Sequence, residues 1–253
     1  MITRLALGAL PQNPVKETLT ANLGKLEYYS VEPDKLREIY GKTEGRRHYI
    51  DLEYYGAEPF AALNPSFSEM VSRYGIRRVD KAGTLPWAIE QVASRLKDAW
   101  RAGNCRRVIR LSGHLSHYIA DASQPLHTTI HFEGYPGDGH LHERLEKTAD
   151  YNVARIEPLA RGQVHPAPIG PPWPAIMDEL RESHALVSTV IQDDRSVRAM
   201  APRSKYQFDR LLYQRDHDWI IRQTADAASV LASIWTYEWE QAGGPAVCGA
   251  SGQ

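Results

Sequence analysis

Six of the ten histidines fall between residues 114 and 142, at positions 114, 117, 127, 131, 140 and 142, interleaved with Asp and Glu. A lone histidine is most often a packed or solvated residue. A cluster with carboxylates is the donor set that zinc takes when thiols are scarce. Spacing refines the reading. His117 and Asp121 stand four apart in a segment of helical periodicity, so both leave one face and reach one ion. His142 and Glu146 repeat that spacing on the next helical segment. Between the pairs, Pro125 ends the first helix and turns the chain, which brings in His127. The run H-x3-D-x5-H-x14-H-x3-E holds donors enough for more than one metal ion. Asp34 and His48 form a second candidate pair upstream, weak by itself, because Asp34 after Pro33 also suits a helix cap.

Helices must position these residues, since helical periodicity dominates and alternating strand patterns are scarce. Pro86 to Gly103 opens with Pro and closes with Gly, as a helix does. Asn104 suits the N-cap of a following helix that runs to about Ser123. Another helix is expected from Leu141 through Ala160, and two more over about 174–193 and 205–241. Residues 53–56 and 128–140 read as loops, and the Pro-rich stretch 165–174 as a break inside one domain. The expectation is an all-α, single-domain protein over residues 1–241, with a disordered Gly/Ala-rich tail over 242–253.

Composition bounds the function. The 253 residues are 42% hydrophobic and 24% charged, enough to bury a core, which excludes a disordered or fibrous chain. Thirty Lys and Arg against 31 Asp and Glu leave a formal charge of -1, without the basic excess of a nucleic-acid domain. No stretch approaches the roughly 18 apolar residues of a transmembrane segment. Two cysteines, Cys105 and Cys248, cannot make a disulfide framework and read as free thiols.

With these residues in view, the chain resembles the zinc-dependent phospholipase C and S1/P1 nuclease superfamily. His117-Tyr-Ile-Ala-Asp-Ala-Ser-Gln-Pro-Leu-His127 is similar to its signature H-x3-D-x2-Q-P-x-H. HYID at 48–51 resembles its upstream metal segment, and LHERLE at 141–146 its downstream one. The resemblance implies an all-α fold with zinc ions, two or three, in a cleft between helices. Carried over by position, Asp34, His48, His117 and Asp121 would hold one zinc, and His127, His142 and Glu146 a second. Asp121 would also bridge to a third, which in the family is completed by an N-terminal Trp and a His of the first helix. RLALGALP at 4–11 looks like the part of that helix just after the His, so both ligands would lie upstream of Met1. The expectation is either an incomplete N-terminus or a protein that works with two zincs.

Clustered zincs suit phosphoric ester hydrolysis, since they acidify a bridging water, polarise the phosphoryl group and stabilise the leaving oxygen. Asp34 is the base that the resemblance suggests, and Arg37, one helical turn beyond, is a candidate to steady charge on the phosphate. His114 is a candidate to orient a ligand, and Asp51 either fixes the His48 ring or caps a turn. His131 and His140 read as loop residues, and His165, His184 and His217 as structural ones. Choline-preferring members hold the headgroup with aromatic residues at positions that here are Lys35 and Gly45, which points away from choline. The expected activity is a phospholipase C-like, zinc-dependent phosphodiester hydrolase, with phospholipid as substrate and transient contact with a membrane surface. Alternatives are an S1/P1-type single-strand nuclease acting on nucleic acid, and a catalytically impaired zinc-binding homologue that lacks the third site. The sequence carries no export signal as it stands. The resemblance suggests a secreted or periplasmic protein if the true start lies upstream.

Overall fold

The computed structural model describes residues 1–248, and every regular element among them is a helix, with no strand. The chain is all-α. Short helices make up its first third: α1 (Ile2–Ala9), α2 (Pro14–Ala21), α3 (Leu23–Ser30), α4 (Glu32–Tyr40), α5 (Lys42–Gly45), α6 (Pro59–Ala62), α7 (Phe67–Tyr74) and α8 (Ile76–Ala82). Local chemistry sets several of these boundaries. Asn13 and Ser66 accept the Lys16 and Glu69 N–H groups as caps, and Pro14, Pro33 and Pro59 sit in first turns, where no amide is missed. Two longer helices follow, α9 (Leu85–Arg101) and α10 (Cys105–Ala122), joined at Gly103 (φ 61°), with Asn104 capping the Arg107 N–H.

The helix expected from Leu141 to Ala160 is two, α11 (Leu141–Tyr151) and α12 (Val153–Arg161). Asn152 breaks it at φ -111°, where its side-chain amide donates back to the Thr148 carbonyl at 2.8 Å. The segment expected over about 174–193 is likewise α13 (Pro172–Ala185) and α14 (Val187–Ala199). α15 (Lys205–Gln241) runs uninterrupted from its Ser204 cap, with the expected bounds. It buries side chains along its whole length, because it is the axial helix on which α1, α9, α10, α12 and α14 pack. Trp100, Tyr118 and Trp235 are the largest fully buried side chains. The Pro-rich break lies along α15, where the His165 and Ala167 amides donate to the Ser229 and Ser233 hydroxyls at 2.9 and 3.1 Å.

The reading of two free thiols is corrected: Cys105 and Cys248 form a disulfide. Gly243 and Gly244, at φ 93° and 62°, turn the chain back at the end of α15. Trp239 then donates its indole N–H to the Pro245 carbonyl at 2.8 Å, and the Cys248 amide donates to Thr18 at 3.1 Å. The glycines that suggested a loose tail are what bring Cys248 onto the first turn of α10. Residues 242–248 thus follow a fixed course, and the rest of the expected tail, 249–253, lies outside the described residues.

Candidate metal centre

α10 is the spine of the site. It presents His117 and Asp121 on one face, and α3 lies against it closely enough that any Cβ on Gly113 would meet Tyr29 Cβ at 2.6 Å. This approach brings the last carbonyl of α3, on Ser30, to 2.9 Å from His117 Nδ1. The next helix, α4, starts two residues on and carries Asp34 beside the His117 ring. Across the cleft, residues 46–51 are held in place by backbone bonds. Ile50 N–H donates to the His127 carbonyl at 2.8 Å, Asp51 N–H to Ala82 at 2.6 Å, and Leu85 N–H to Tyr49 at 3.2 Å. Gly83 lets Tyr49 pass, because a Cβ there would overlap the Tyr49 carbonyl.

Asp34, His48 and His117 thereby converge. His48 Nδ1 is 3.0 Å from His117 Nε2, and Asp34 Oδ1 is 3.9 Å from each. Asp121 joins them, its Oδ2 at 3.1 Å from His48 Nδ1 and 3.4 Å from His117 Nε2. Partners on the far side of each ring decide the tautomers. The Ser30 carbonyl takes the proton of His117 Nδ1, which leaves a lone pair on Nε2. His48 Nε2 is buried without a hydrogen bond, and the nearest carboxylate is Glu44, at 3.8 Å. Glu44 accepts from the Tyr118 hydroxyl and lies 3.5 Å from Arg47. A carboxylate there favours a proton on Nε2 and a lone pair on Nδ1, toward the cleft.

His127, His142 and Glu146 form a second group. His127 Nδ1–H donates to the His48 carbonyl at 2.5 Å, so its Nε2 lone pair points at His142 Nε2, 2.8 Å away. Two imidazole nitrogens this close must share a proton or a cation. Glu146 Oε1 completes the group at 3.5 and 3.2 Å from the two rings. The loop before α11 is fastened by charge. Asp138 accepts from Arg195 at 2.9 Å and from Arg198, while Arg144 grips Asp194 with two bonds, 2.7 and 2.8 Å. The Arg195 guanidinium holds the Asp138 carboxyl well below the usual range, despite a cost of burial. Asp121 stands between the groups, its Oδ1 3.7 Å from His127 Nδ1.

These residues fit zinc. Ligands at about 2.0–2.2 Å in a tetrahedron lie roughly 3.3–3.6 Å apart. The separations of 2.8–3.5 Å in the second group and 3.0–3.9 Å in the first bracket that spacing. The electrostatics agree. Burial disfavours a charged His127 ring, yet the Asp121 and Glu146 carboxylates overcome it and push its pKa up to about 9. Burial also disfavours the charge on Asp121, and the surrounding histidines outweigh it and lower that pKa. His142 moves down, through burial and then the neighbouring His127. The pocket favours added positive charge.

Other expected residues take different places. Arg37 is exposed on α4, its aliphatic chain against Gly45, and no hydrogen bond or ion pair joins its guanidinium to either group. His114 touches neither group. It bonds Glu32 at 2.6 Å, alongside Arg110, and so pins the start of α4 two residues before Asp34. Asp51 does not reach His48. It begins a short 3-10 turn, and burial, then the Glu53 charge, raises its pKa to about 7. His140 is exposed at φ 57°, at the N-terminal end of α11. Sequence reasoning missed Glu44, Tyr118 and the Ser30 carbonyl. Only Glu44 left a trace, four residues before His48 in KTEGRRH.

Residues 1–189 match the protein-family model described as zinc dependent phospholipase C, a span that contains every residue of both groups. No curated protein matches the chain.

Proposed function

The chain belongs to the zinc dependent phospholipase C family, and on that premise we propose that it hydrolyses the headgroup phosphodiester of a phospholipid at these two donor groups. Asp34, His48, His117 and Asp121 would hold one zinc, and His127, His142 and Glu146 another. Bound zinc supplies Lewis acidity toward the phosphoryl oxygens and toward water. The chain's own residues do the rest. The Ser30 and His48 carbonyls and Glu44 fix which nitrogen of the His117, His127 and His48 rings faces the metal, and His127 gives up its proton as the ion binds. Asp34 is the base. Its side chain is 55% exposed where His48 is 4%, so it can turn toward solvent and accept a proton. Arg37, one turn further along α4, reaches a substrate phosphate from the rim.

The observation that carries this reading is the convergence of six donors, in two groups of three, inside a matched family span. The surroundings support a lipid substrate. Phe132, its ring 6.4 Å from that of His142, is exposed together with Ile130, and Ile39 and Tyr40 are exposed at the end of α4, large apolar residues suited to shallow contact with a membrane surface. No helix is long and apolar enough to cross a membrane. Choline is disfavoured, because Lys35 stands beside Asp34 in the chain and lies 4.4 Å over the Tyr28 ring, a cation of the chain itself on that aromatic face. The family match gives a nuclease reading no support. Export goes with this function: the Cys105–Cys248 disulfide suits an oxidising compartment.

The test is elemental analysis of the purified protein beside its hydrolysis of phospholipid vesicles and of bis-p-nitrophenyl phosphate. The expected result is two or three zincs per chain, turnover of both substrates, and loss of turnover on chelation with recovery on added zinc. Zinc-loaded protein with no turnover of any phosphodiester would make it a zinc-binding homologue. Cleavage of single-stranded nucleic acid alone would make it a nuclease.

A further inference from the structure

A cavity of about 820 Å³ is lined by residues of α4, α5, α9 and α10. Five arginines line it, Arg46, Arg47, Arg95, Arg107 and Arg110, against three carboxylates, Glu44, Asp80 and Glu90. We propose that this groove binds a phosphate-bearing organic anion at a site separate from the metal centre.

The charge balance is uneven along the groove. At the inner end the arginines are engaged: Arg46 with Asp80, Arg47 with Glu44 and with Gln91 Oε1 at 2.8 Å, Arg110 with Glu32 at 2.6 Å. Arg95 and Arg107 lie at the outer end of the α9–α10 seam. Among the described residues, neither makes an ion pair or a side-chain hydrogen bond with the protein. Burial pushes the Glu90 carboxyl up from its usual range.

Arg107 stands in the first turn of α10, which contains no acidic residue. A helix start favours carboxylates, because the aligned peptide dipoles already place positive potential there. A guanidinium at that end adds to the potential instead of neutralising it. Asn104 already caps the Arg107 N–H, so it is this potential that the helix start offers an anion. Two unengaged guanidinium forks beside it have the planar donor geometry that takes phosphate oxygens two at a time.

Along the same two helices, α9 and α10, the groove becomes apolar. Trp87 is fixed by its indole N–H bond to the Asn64 carbonyl at 2.9 Å, and Phe67 packs edge-on against it at 5.6 Å. Leu111 and Val92 continue this wall toward the arginines. A cationic rim beside a rigid aromatic wall suits a phosphate that carries an organic substituent, such as a glycerophosphate or an anionic lipid headgroup. Glu44 and Tyr118, which back His48, form the wall that the groove shares with the metal centre, while Arg95 and Arg107 belong to neither donor group.

The test uses the zinc-loaded protein and two probes: glycerol 3-phosphate in calorimetric titration, and flotation with phosphatidylglycerol or phosphatidylcholine vesicles. The comparison is the native chain against the Arg95→Ala/Arg107→Ala double variant, both side chains being exposed and outside the catalytic machinery. Binding of at least one phosphate probe is expected to weaken at least tenfold in the variant and to fall with added salt. Zinc content and hydrolysis of bis-p-nitrophenyl phosphate stay as in the native protein. A loss confined to phosphatidylglycerol vesicles assigns the phosphate to a lipid headgroup, and a loss for glycerol 3-phosphate assigns it to a soluble ester. Binding that is unchanged in the variant, or absent from the native protein for both probes, overturns the proposal. An equal loss in an Arg77→Ala/Arg203→Ala control, two exposed arginines elsewhere, also overturns it, since net charge alone would then explain the effect.

Discussion

The two donor groups lie side by side, yet they are built differently. In the first, the His48, His117 and Asp121 side chains are 4%, 11% and 13% exposed, and Asp34, the fourth donor, is the one open to solvent at 55%. Each of its rings is backed by a partner from another helix. The second has three donors, two of them open to solvent, with His142 28% and Glu146 47% exposed. It depends on a loop and on α11, which the Asp138 and Asp194 charge network ties to α14. A site with four protein donors is closed to further ligands, and a three-donor site keeps a position free for another. With zinc held as proposed, the contrast predicts slower exchange at the first group than at the second.

The most severe break of that contrast is Asp121→Ala, because this carboxylate faces both groups. Zinc content is expected to fall by about one ion or more per chain, and hydrolysis by about a hundredfold or more, read by elemental analysis and initial rates. Native zinc content in this variant would remove Asp121 from the ligand set. Glu44→Gln should act on one group only. It keeps the volume but removes the charge behind His48, and is expected to weaken zinc at the first group about 10- to 100-fold while the second is unaffected. Competition with a chromophoric chelator resolves the two ions. Equal weakening of both would mean that Glu44 serves the fold and not the ring.

The smallest effect is a proton. In the metal-free protein the His127 pKa is raised from 6.5 to about 9. Its charged ring therefore stabilises the fold fully below about 6.5, and that contribution disappears as pH rises through about 9. Zinc requires the neutral ring, so binding between those pH values displaces a proton, and affinity at the second group rises with pH toward about 9. Calorimetry at pH 7.5 in buffers of different ionisation enthalpy should read about one proton released as this group fills. Uptake without proton release would place the displaced charge elsewhere.

Much of this was legible in the sequence because it is local. His117 with Asp121, and His142 with Glu146, announce themselves through a spacing that any α-helix converts into one face. α10 and α15 carry their own caps, Asn104 and Ser204, and long apolar faces, so their ends could be placed closely. What failed to show was everything that depends on a distant partner. The Ser30 carbonyl is invisible in a sequence, and its role exists only because Gly113 admits α3 against α10. Asp51 was the nearer acid to His48 along the chain, but the turn that follows it carries its side chain away, and Glu44 takes the place. The eight helices before Gly83 have four to nine residues each, too short for periodicity to register, and tertiary packing stabilises them. The free-thiol reading failed for the same reason, since its two residues are 143 positions apart.

That separation has a consequence of its own. The Cys105–Cys248 bond turns the chain from α10 to the end of the described residues into a closed ring, with the whole axial helix inside it. Closing a loop of 143 residues removes unfolded-state entropy worth on the order of 5 kcal/mol. It also changes what a cut means. A protease that nicks the exposed backbone around Gly162 to Gly170 opens the ring into a line and releases no fragment, so α13, α14 and the axial helix stay tethered to the part that carries both donor groups. Over more than half its length the protein is a circle for as long as it is kept from reductant.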